Sequence, residues 1–323
     1  AKALSDAELA AGAFVEVLPG THCVAIDIEG RPDGTLYLLA SRKTGNDPRW
    51  WLGRTGSWEA ANTPENLSLG GLGEAAHALA VGADKVAVCG TRPVVNPIDK
   101  LDAAVWIIGQ PPRQFDHHPP GFKPHTFDET LRDCVFDGDT FVGVGDAYGL
   151  YTNDLMEPKR RRHLQLRLDL DSDAFTAHVG AELGAATQSV ANAVTLDDEG
   201  RVVTVGYLCG DTCKQDAHLW VHAPDGTLEW YAALGANLAT PYALATSPAG
   251  YVVLGGAVKT GPASSRFWMR AYFVGDYDPV WTFERDDAPV FQYATAVAVS
   301  PAGHIYGGGV GANGYPAVVY VHP

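Results

Sequence analysis

The chain has 323 residues, with 38 acidic against 23 basic side chains for a formal net charge of −15, and it carries 36 glycines and 21 prolines. With 46% hydrophobic, 10% aromatic and only 19% charged residues, it is neither a disordered chain nor a helical bundle, which would carry more Lys and Glu and less Gly and Pro. So acidic a chain is a poor match for nucleic acid, whose phosphates need a basic face, and by length alone it would make two domains.

No run approaches the ~20 apolar residues of a membrane-spanning helix. The chain starts at Ala1 without a basic-then-apolar leader, and we read it as a mature form from which a signal peptide has been removed.

Taken in chain order, one segment type recurs. A short apolar strand comes first: CVAID from Cys23, ALAVG from Ala78, DCVFD from Asp133, AVTLD from Ala193, ALATS from Ala243 and AVAVS from Ala296. Hairpin turns such as DDEG and PAG follow. Then comes a β-rich strand with a small closing residue: Ala40, Gly90, Gly145, Gly206, Gly256 and Gly309, spaced by 50, 55, 61, 50 and 53. A third strand begins near Trp50, Ala104, Leu164, His218, Phe267 and Ala317, and a fourth carries Trp58, Phe115, Phe175, Trp230 or Trp281. These aromatics read as packing between repeats rather than ligand contacts. The sixth copy lacks its fourth strand, and the strand around Phe14 supplies it through the termini.

Four antiparallel strands repeated about every 54 residues, each small sheet needing neighbours to cover its faces, predict an all-β fold. We expect a six-bladed β-propeller of one domain, with seven blades as the alternative and a β-sandwich as the weaker rival. The blades fall roughly at 21–62, 75–118, 130–180, 190–235, 240–285 and 293–323, the last closed by 11–19.

The stretches AVTLDDEGRVVTVG from Ala193 and DAHLWVHAPDGTLEW from Asp216 resemble the blades of bacterial secreted propeller-repeat proteins and their quinoprotein-like relatives. The resemblance is clearest over residues 190–310. It implies a propeller fold and export, and it brings no catalytic motif.

Aligning the copies puts one polar or amphipathic residue just before each first strand: His22, His77, Arg132, Asn192, Tyr242 and Thr295. Convergent polar groups at a channel mouth suit a small molecule, a glycan or a protein. His22 and His77 begin a metal set without a third ligand, so no metal is expected. The prolines around His117, His118, His125, Asp128 and Glu129 make a long surface loop, again without regular ligand spacing. Beside the basic run Lys159 to Arg162, Tyr148 and Tyr151 offer amphipathic contacts.

Cys209 and Cys213 are separated by a tight turn that permits a local disulfide, which favours an extracellular or periplasmic location. Cys23, Cys89 and Cys134 read as small buried residues within strands. The sequence contains no GxSxG, HExxH, P-loop or dinucleotide fingerprint. Two functional readings follow. The first is an exported, monomeric binding module working through its axial face and loops. The second is a hydrolase or lyase at the same mouth, with His22 or His77 as general base and Arg132 stabilising an anion. The cofactor, if any, is open.

Overall fold

The computed structural model describes residues 23–30, 36–44, 47–54, 74–94, 100–116, 127–149, 160–172, 174–180, 188–209, 215–237, 239–261, 264–285, 291–300, 302–310 and 316–321. Among the described residues there are twenty-two strands and no helix, so no helix is long and apolar enough to cross a membrane.

The strands form six sheets, each in strict chain order. The first holds β1 (Cys23–Gly30), β2 (Leu36–Thr44) and β3 (Asp47–Arg54); the second β4 (Ala75–Val81), β5 (Val86–Pro93), β6 (Leu101–Ile107) and β7 (Arg113–Phe115). The third holds β8 (Asp128–Asp137), β9 (Thr140–Gly149), β10 (Arg160–Asp169) and β11 (Phe175–Val179). The fourth holds β12 (Gln188–Leu196), β13 (Val202–Cys209), β14 (Gln215–His222) and β15 (Leu228–Asn237). The fifth holds β16 (Ala239–Thr246), β17 (Tyr251–Gly261), β18 (Ser264–Phe273) and β19 (Trp281–Arg285); the sixth β20 (Tyr293–Val299), β21 (Ile305–Val310) and β22 (Pro316–Val321). The segments around Trp58 and Phe14, expected to complete the first and last sheets, lie outside the described residues.

The chain divides into two compact units, residues 1–142 with 168–174 and residues 143–167 with 175–323. In the first, Leu39, Leu79, Val88, Ala104 and Trp106 build a core that two sheets share. In the second, Val205, Leu219, Val221, Leu254, Trp268 and Tyr272 do the same between the fourth and fifth sheets. Continuous buried runs in β5, β13 and β17, whose successive side chains point to opposite faces, give one sheet two apolar faces that neighbouring sheets cover. The fourth-strand aromatics follow this logic unevenly. Phe115 is buried, Trp230 and Trp281 pack against the core, and Phe175 is 45% exposed.

One irregularity repeats. The register shifts between Ala25 and Asp27, Ala76 and Ala78, Ala191 and Ala193, Pro241 and Ala243, and Ala294 and Ala296. Each first strand so paired therefore carries a β-bulge, with one extra residue: Ile26, His77, Asn192, Tyr242 or Thr295. A bulge bends its strand and increases the local twist. It also tips a backbone carbonyl across the ladder. A Cβ added to Gly90, Gly206, Gly256 or Gly309 would run into the carbonyl oxygen of Ala75, Val190, Thr240 or Tyr293, two residues before the bulge. The closing glycines Gly90, Gly206, Gly256 and Gly309 are thus steric requirements of the bulges opposite them.

The hairpin turns carry the chemistry expected of them. In DDEG, Asp197 Oδ1 accepts from the backbone N–H groups of Glu199 and Arg201 at 3.0 and 2.9 Å, and Gly200 takes a φ of 74°. In the first PAG turn, Ser247 Oγ accepts from Ala249 N at 3.2 Å, and Gly250 takes a φ of 81°.

The bulge contact predicts a graded result. Gly206→Ala, which drives a methyl into the Val190 carbonyl, should lower stability by at least about 2 kcal/mol. Gly200→Asn, in an open turn that asparagine tolerates, should change it by less than about 1 kcal/mol. Urea unfolding of both variants measures the contrast.

Candidate functional site

The residues that sequence alignment placed before the first strands lie inside them. His77, Asn192, Tyr242 and Thr295 are the bulge residues of β4, β12, β16 and β20. The extra residue interrupts the period-two pattern, so alternation restarts after it and in the sequence the strand reads as beginning one residue late. His77 and Thr295 are exposed, Tyr242 is 42% exposed, and Asn192 is half-buried. Arg132, also half-buried, lies within β8. In β1 the bulge falls on Ile26, whereas His22 lies outside the described residues.

In the second unit these bulges meet aromatic neighbours. The Tyr242 ring stands edge-on to Tyr293 of β20, with centroids 6.0 Å apart. Burial pushes the Tyr242 phenol up from its usual pKa, with Tyr293 and Tyr207 of β13 adding to the effect and a hydrogen bond to Thr240 opposing it. Two tyrosines from neighbouring sheets therefore meet at one half-exposed bulge. Beside them, Asn192 Nδ2 donates to the Pro241 carbonyl at 2.7 Å, and Thr246 Oγ1 donates to the Leu196 carbonyl at the same distance. These bonds tie neighbouring first strands together where no ladder joins them.

The first unit uses a carboxylate for the same task. Asp27 accepts from Leu79 N and from Ile28 N, both at 2.8 Å, so one side chain of β1 satisfies an edge N–H of β4. Burial raises its pKa, against the pull of those two N–H groups. Asp133 of β8 bonds its neighbour Cys134 N at 2.8 Å. Sequence reading gave neither aspartate a role.

Among the loop candidates, Tyr148 falls on β9, where its ring faces the Arg161 guanidinium at 5.1 Å. Arg161 also bonds Asp146 Oδ2 at 2.5 Å, so this member of the basic run is neutralised locally. Tyr151 and Lys159 lie outside the described residues, as do His117, His118 and His125. Asp128 and Glu129, expected in that loop, open β8 instead. Asp128 pairs with Lys100 at 3.2 Å. Glu129 is buried and, with Asp102 and Asp116, forms a group whose oxygens lie within 4.8 Å of one another. Gln114 Nε2 donates to Asp102 Oδ2 at 2.9 Å. Three carboxylates fall short of the six to eight oxygens that calcium takes.

Cys89 and Cys134 are free, buried thiols whose pKa values burial raises, which makes them unreactive. Cys209 is fully buried at the end of β13, and its expected partner Cys213 lies outside the described residues.

What sequence reading missed is a group of interior histidines. His163, His218 and His222 are 5%, 7% and 6% exposed. They flank Trp220: His163 stacks on the indole at 5.0 Å and His218 at 5.9 Å, and Tyr231 extends the stack beyond His218 at 6.2 Å. Burial lowers the His163 pKa to about 3, helped by His222, and the His222 pKa to about 4, helped by His178. Burial brings His218 to about 4 against the opposing charge of Asp216. The available signal was the pair of histidines in HLWVH, four apart in a strand, hence both on the face of Trp220.

These imidazoles are uncharged at neutral pH. The unfolded chain protonates them near 6.5, and the native state holds out to about 4 or below. Stability is therefore lost as pH falls through this interval, by roughly 1–2 kcal/mol per histidine at pH 5. Urea midpoints should drop between pH 7.5 and 5, and His218→Gln should flatten the slope. A pH-independent midpoint would contradict the buried, neutral state.

No protein-family model matches the sequence, and no curated protein is significantly similar to it. Solved structures are similar in fold. A protein of unknown function from Dyadobacter fermentans DSM 18053 superposes with a TM-score of 0.58 at 13% identity, over 93% of this chain and 98% of that one. The Hadza microbial sialidase Hz136 superposes with a TM-score of 0.56 at 10% identity, over 87% of this chain and 62% of the sialidase. A Trypanosoma rangeli sialidase in complex with the inhibitor DANA gives a TM-score of 0.47 at 8% identity, over 90% of this chain and 49% of that one. This chain thus spans less than two thirds of either sialidase. At such identities the likeness is one of fold: an all-β architecture of four-stranded antiparallel sheets, of the β-propeller kind.

Proposed function

We propose that the protein is an exported binding module that recognises a glycan through the bulge residues of its first strands. The observation that carries this reading is the edge-on pair of Tyr242 and Tyr293 at an exposed bulge. Tyrosines present an apolar face and a hydroxyl together, which is what a sugar's C–H surface and hydroxyl rim require. The six phased repeats support a six-bladed ring closed by residues 11–19, with His22, His77, Arg132, Asn192, Tyr242 and Thr295 around its mouth.

The geometry favours binding over hydrolysis. Glycosidases act through a pair of carboxyl groups, and sialidases through a tyrosine nucleophile. Among the described bulges the extra residues are Ile26, His77, Asn192, Tyr242 and Thr295, with no carboxylate. A nucleophilic tyrosine needs its phenol made easier to ionise. Tyr242 is shifted the other way.

Affinity electrophoresis through soluble polysaccharides tests the proposal. At least one should retard the protein, and Tyr242→Ala should weaken that binding at least tenfold (about 1.4 kcal/mol) with the urea midpoint unchanged. Retardation by none would remove the glycan as ligand. Release of reducing ends from a retarding polysaccharide would replace the module with an enzyme.

The export half of the proposal rests on the Cys209–Cys213 bridge. Intact mass before and after reduction should differ by two hydrogens, with both cysteines alkylated only after reductant. Two thiols alkylated without reductant would remove the argument for an oxidising compartment.

A further inference from the structure

In the second unit, the connection from β18 to β19 runs from Val274 to Val280, seven residues against the five from Ala223 to Thr227 between β14 and β15. It is closed twice. Asp276 N donates to the Phe273 carbonyl at 3.1 Å, and Val280 N donates to the Ala271 carbonyl at 2.8 Å. Tyr277, Asp278 and Pro279 are held out between these two bonds, a short surface loop positioned by the sheet beneath it.

The loop is unusually apolar for its exposure. Among the described residues nine large hydrophobic side chains are exposed, and three of them, Phe273, Tyr277 and Val280, fall within eight consecutive positions. Exposed apolar residues scattered singly are ordinary, whereas grouped ones mark contact surfaces. Tyr277 is 64% exposed, yet its ring is anchored: it meets Trp230 of β15 with centroids 5.5 Å apart and a tilt of 52°. Trp230 in turn packs against the core that contains Trp268 and Tyr272. One aromatic ring is therefore fixed to the neighbouring sheet while most of its surface stays open.

Asp276 and Asp278 flank that ring. Both are exposed, and among the described residues neither has an ion-pair partner. The Asp278 charge acts on the buried Tyr272 phenol, which places this carboxylate on the Trp230 side of β18. Cations of the same two sheets are already engaged. Arg201, which reaches Glu229 beside Trp230, is shared among Asp197, Glu199 and Glu229 at 2.7, 3.2 and 3.9 Å. Arg270 donates to the Leu234 carbonyl at 3.0 Å and to Tyr272 Oη at 3.3 Å, and pairs with Glu284 at 3.6 Å. The field left at the exposed ring is negative.

This combination selects its occupant. An anionic surface would be repelled. Two carboxylates fall short of the six to eight oxygens of a calcium site. A purely apolar partner would strip water from both aspartates and return nothing. A guanidinium stacks on an aromatic face and bonds carboxylates in the same position. Phe273 and Val280, on either side, then offer apolar surface to the chain that carries it. A polypeptide with arginine among apolar residues supplies both parts.

We infer that this end of the second unit docks a basic segment of a partner protein, with an arginine stacked on Tyr277 and held by Asp276 and Asp278. The surface shares no residue with the first-strand bulges, and the inference stands apart from the glycan reading.

Fluorescence anisotropy on the full chain, with a labelled hexapeptide of alternating arginine and leucine, tests this. The peptide should bind, and its twin with citrulline for arginine should bind at least about tenfold more weakly. Tyr277→Ala should weaken binding by at least about tenfold, as should Asp276→Asn combined with Asp278→Asn. Tyr277→Phe, which keeps the ring, and Tyr242→Ala should leave it unchanged. So should Asp84→Asn combined with Asp198→Asn, two exposed carboxylates elsewhere. Arginine amide, the cation without the chain, should compete at least about tenfold more weakly than the unlabelled peptide. If Tyr277→Ala disturbs the fold, the aspartate pair and the citrulline twin decide. Absence of peptide binding overturns the inference, as does equal binding of the citrulline twin. Equal weakening by Asp84→Asn with Asp198→Asn would reduce the effect to net charge. Undiminished binding by Tyr277→Ala would remove the ring from the site. Arginine amide binding as tightly as the peptide would leave a small-amine site in place of a protein contact.

Discussion

The carbonyl oxygens of Ala75, Val190, Thr240 and Tyr293 lie where side chains of the opposing strand would otherwise begin, and only glycine can face them. This contact is the constraint on which the rest depends. It exists because each first strand with a described pairing carries one residue too many for its ladder, and a bulge increases twist. In a small sheet that must pack against neighbours on both faces, added twist at the first strand sets the angle at which the next sheet is met. The same extra residue is thrown out of the ladder, so the device that shapes the sheet also displays His77, Asn192, Tyr242 and Thr295. Scaffold and candidate site are one feature.

First strands that lie side by side without a ladder leave edge groups that need partners, since unpaired edges invite association. The protein answers with side chains. Asp27 reaches Leu79 N, Asn192 reaches the Pro241 carbonyl, and Thr246 reaches the Leu196 carbonyl. Asp27 looks catalytic by its burial and raised pKa, yet both of its oxygens are engaged by backbone N–H groups. A perturbed carboxyl can mark an active site or an edge repair, and its partners here decide for repair.

The Tyr242 phenol and the histidines around Trp220 have neutrality in common. Burial makes the Tyr242 phenol harder to ionise and holds the histidines around Trp220 uncharged. Charged pairs that do occur inside, such as Asp146 with Arg161, close on each other.

Much of the fold was legible in the chain: strand order, the hairpin turns at DDEG and PAG, the closing glycines and the repeat of about 54 residues all follow from local pattern and steric chemistry. The bulge was legible only as a misplaced strand start, because an extra residue breaks alternation without announcing which ladder it belongs to. The approach of His163 and His178 to His222 was not legible at all. These histidines come from β10, β11 and β14, and what joins them is the packing of one sheet on the next. The sequence by itself determined that this is an all-β chain of repeated four-stranded sheets, since period and turn chemistry are properties of neighbouring residues. Which polar side chains are buried, and which converge on a common space, only the tertiary structure decided. Burial and convergence depend on contacts between residues far apart in the chain.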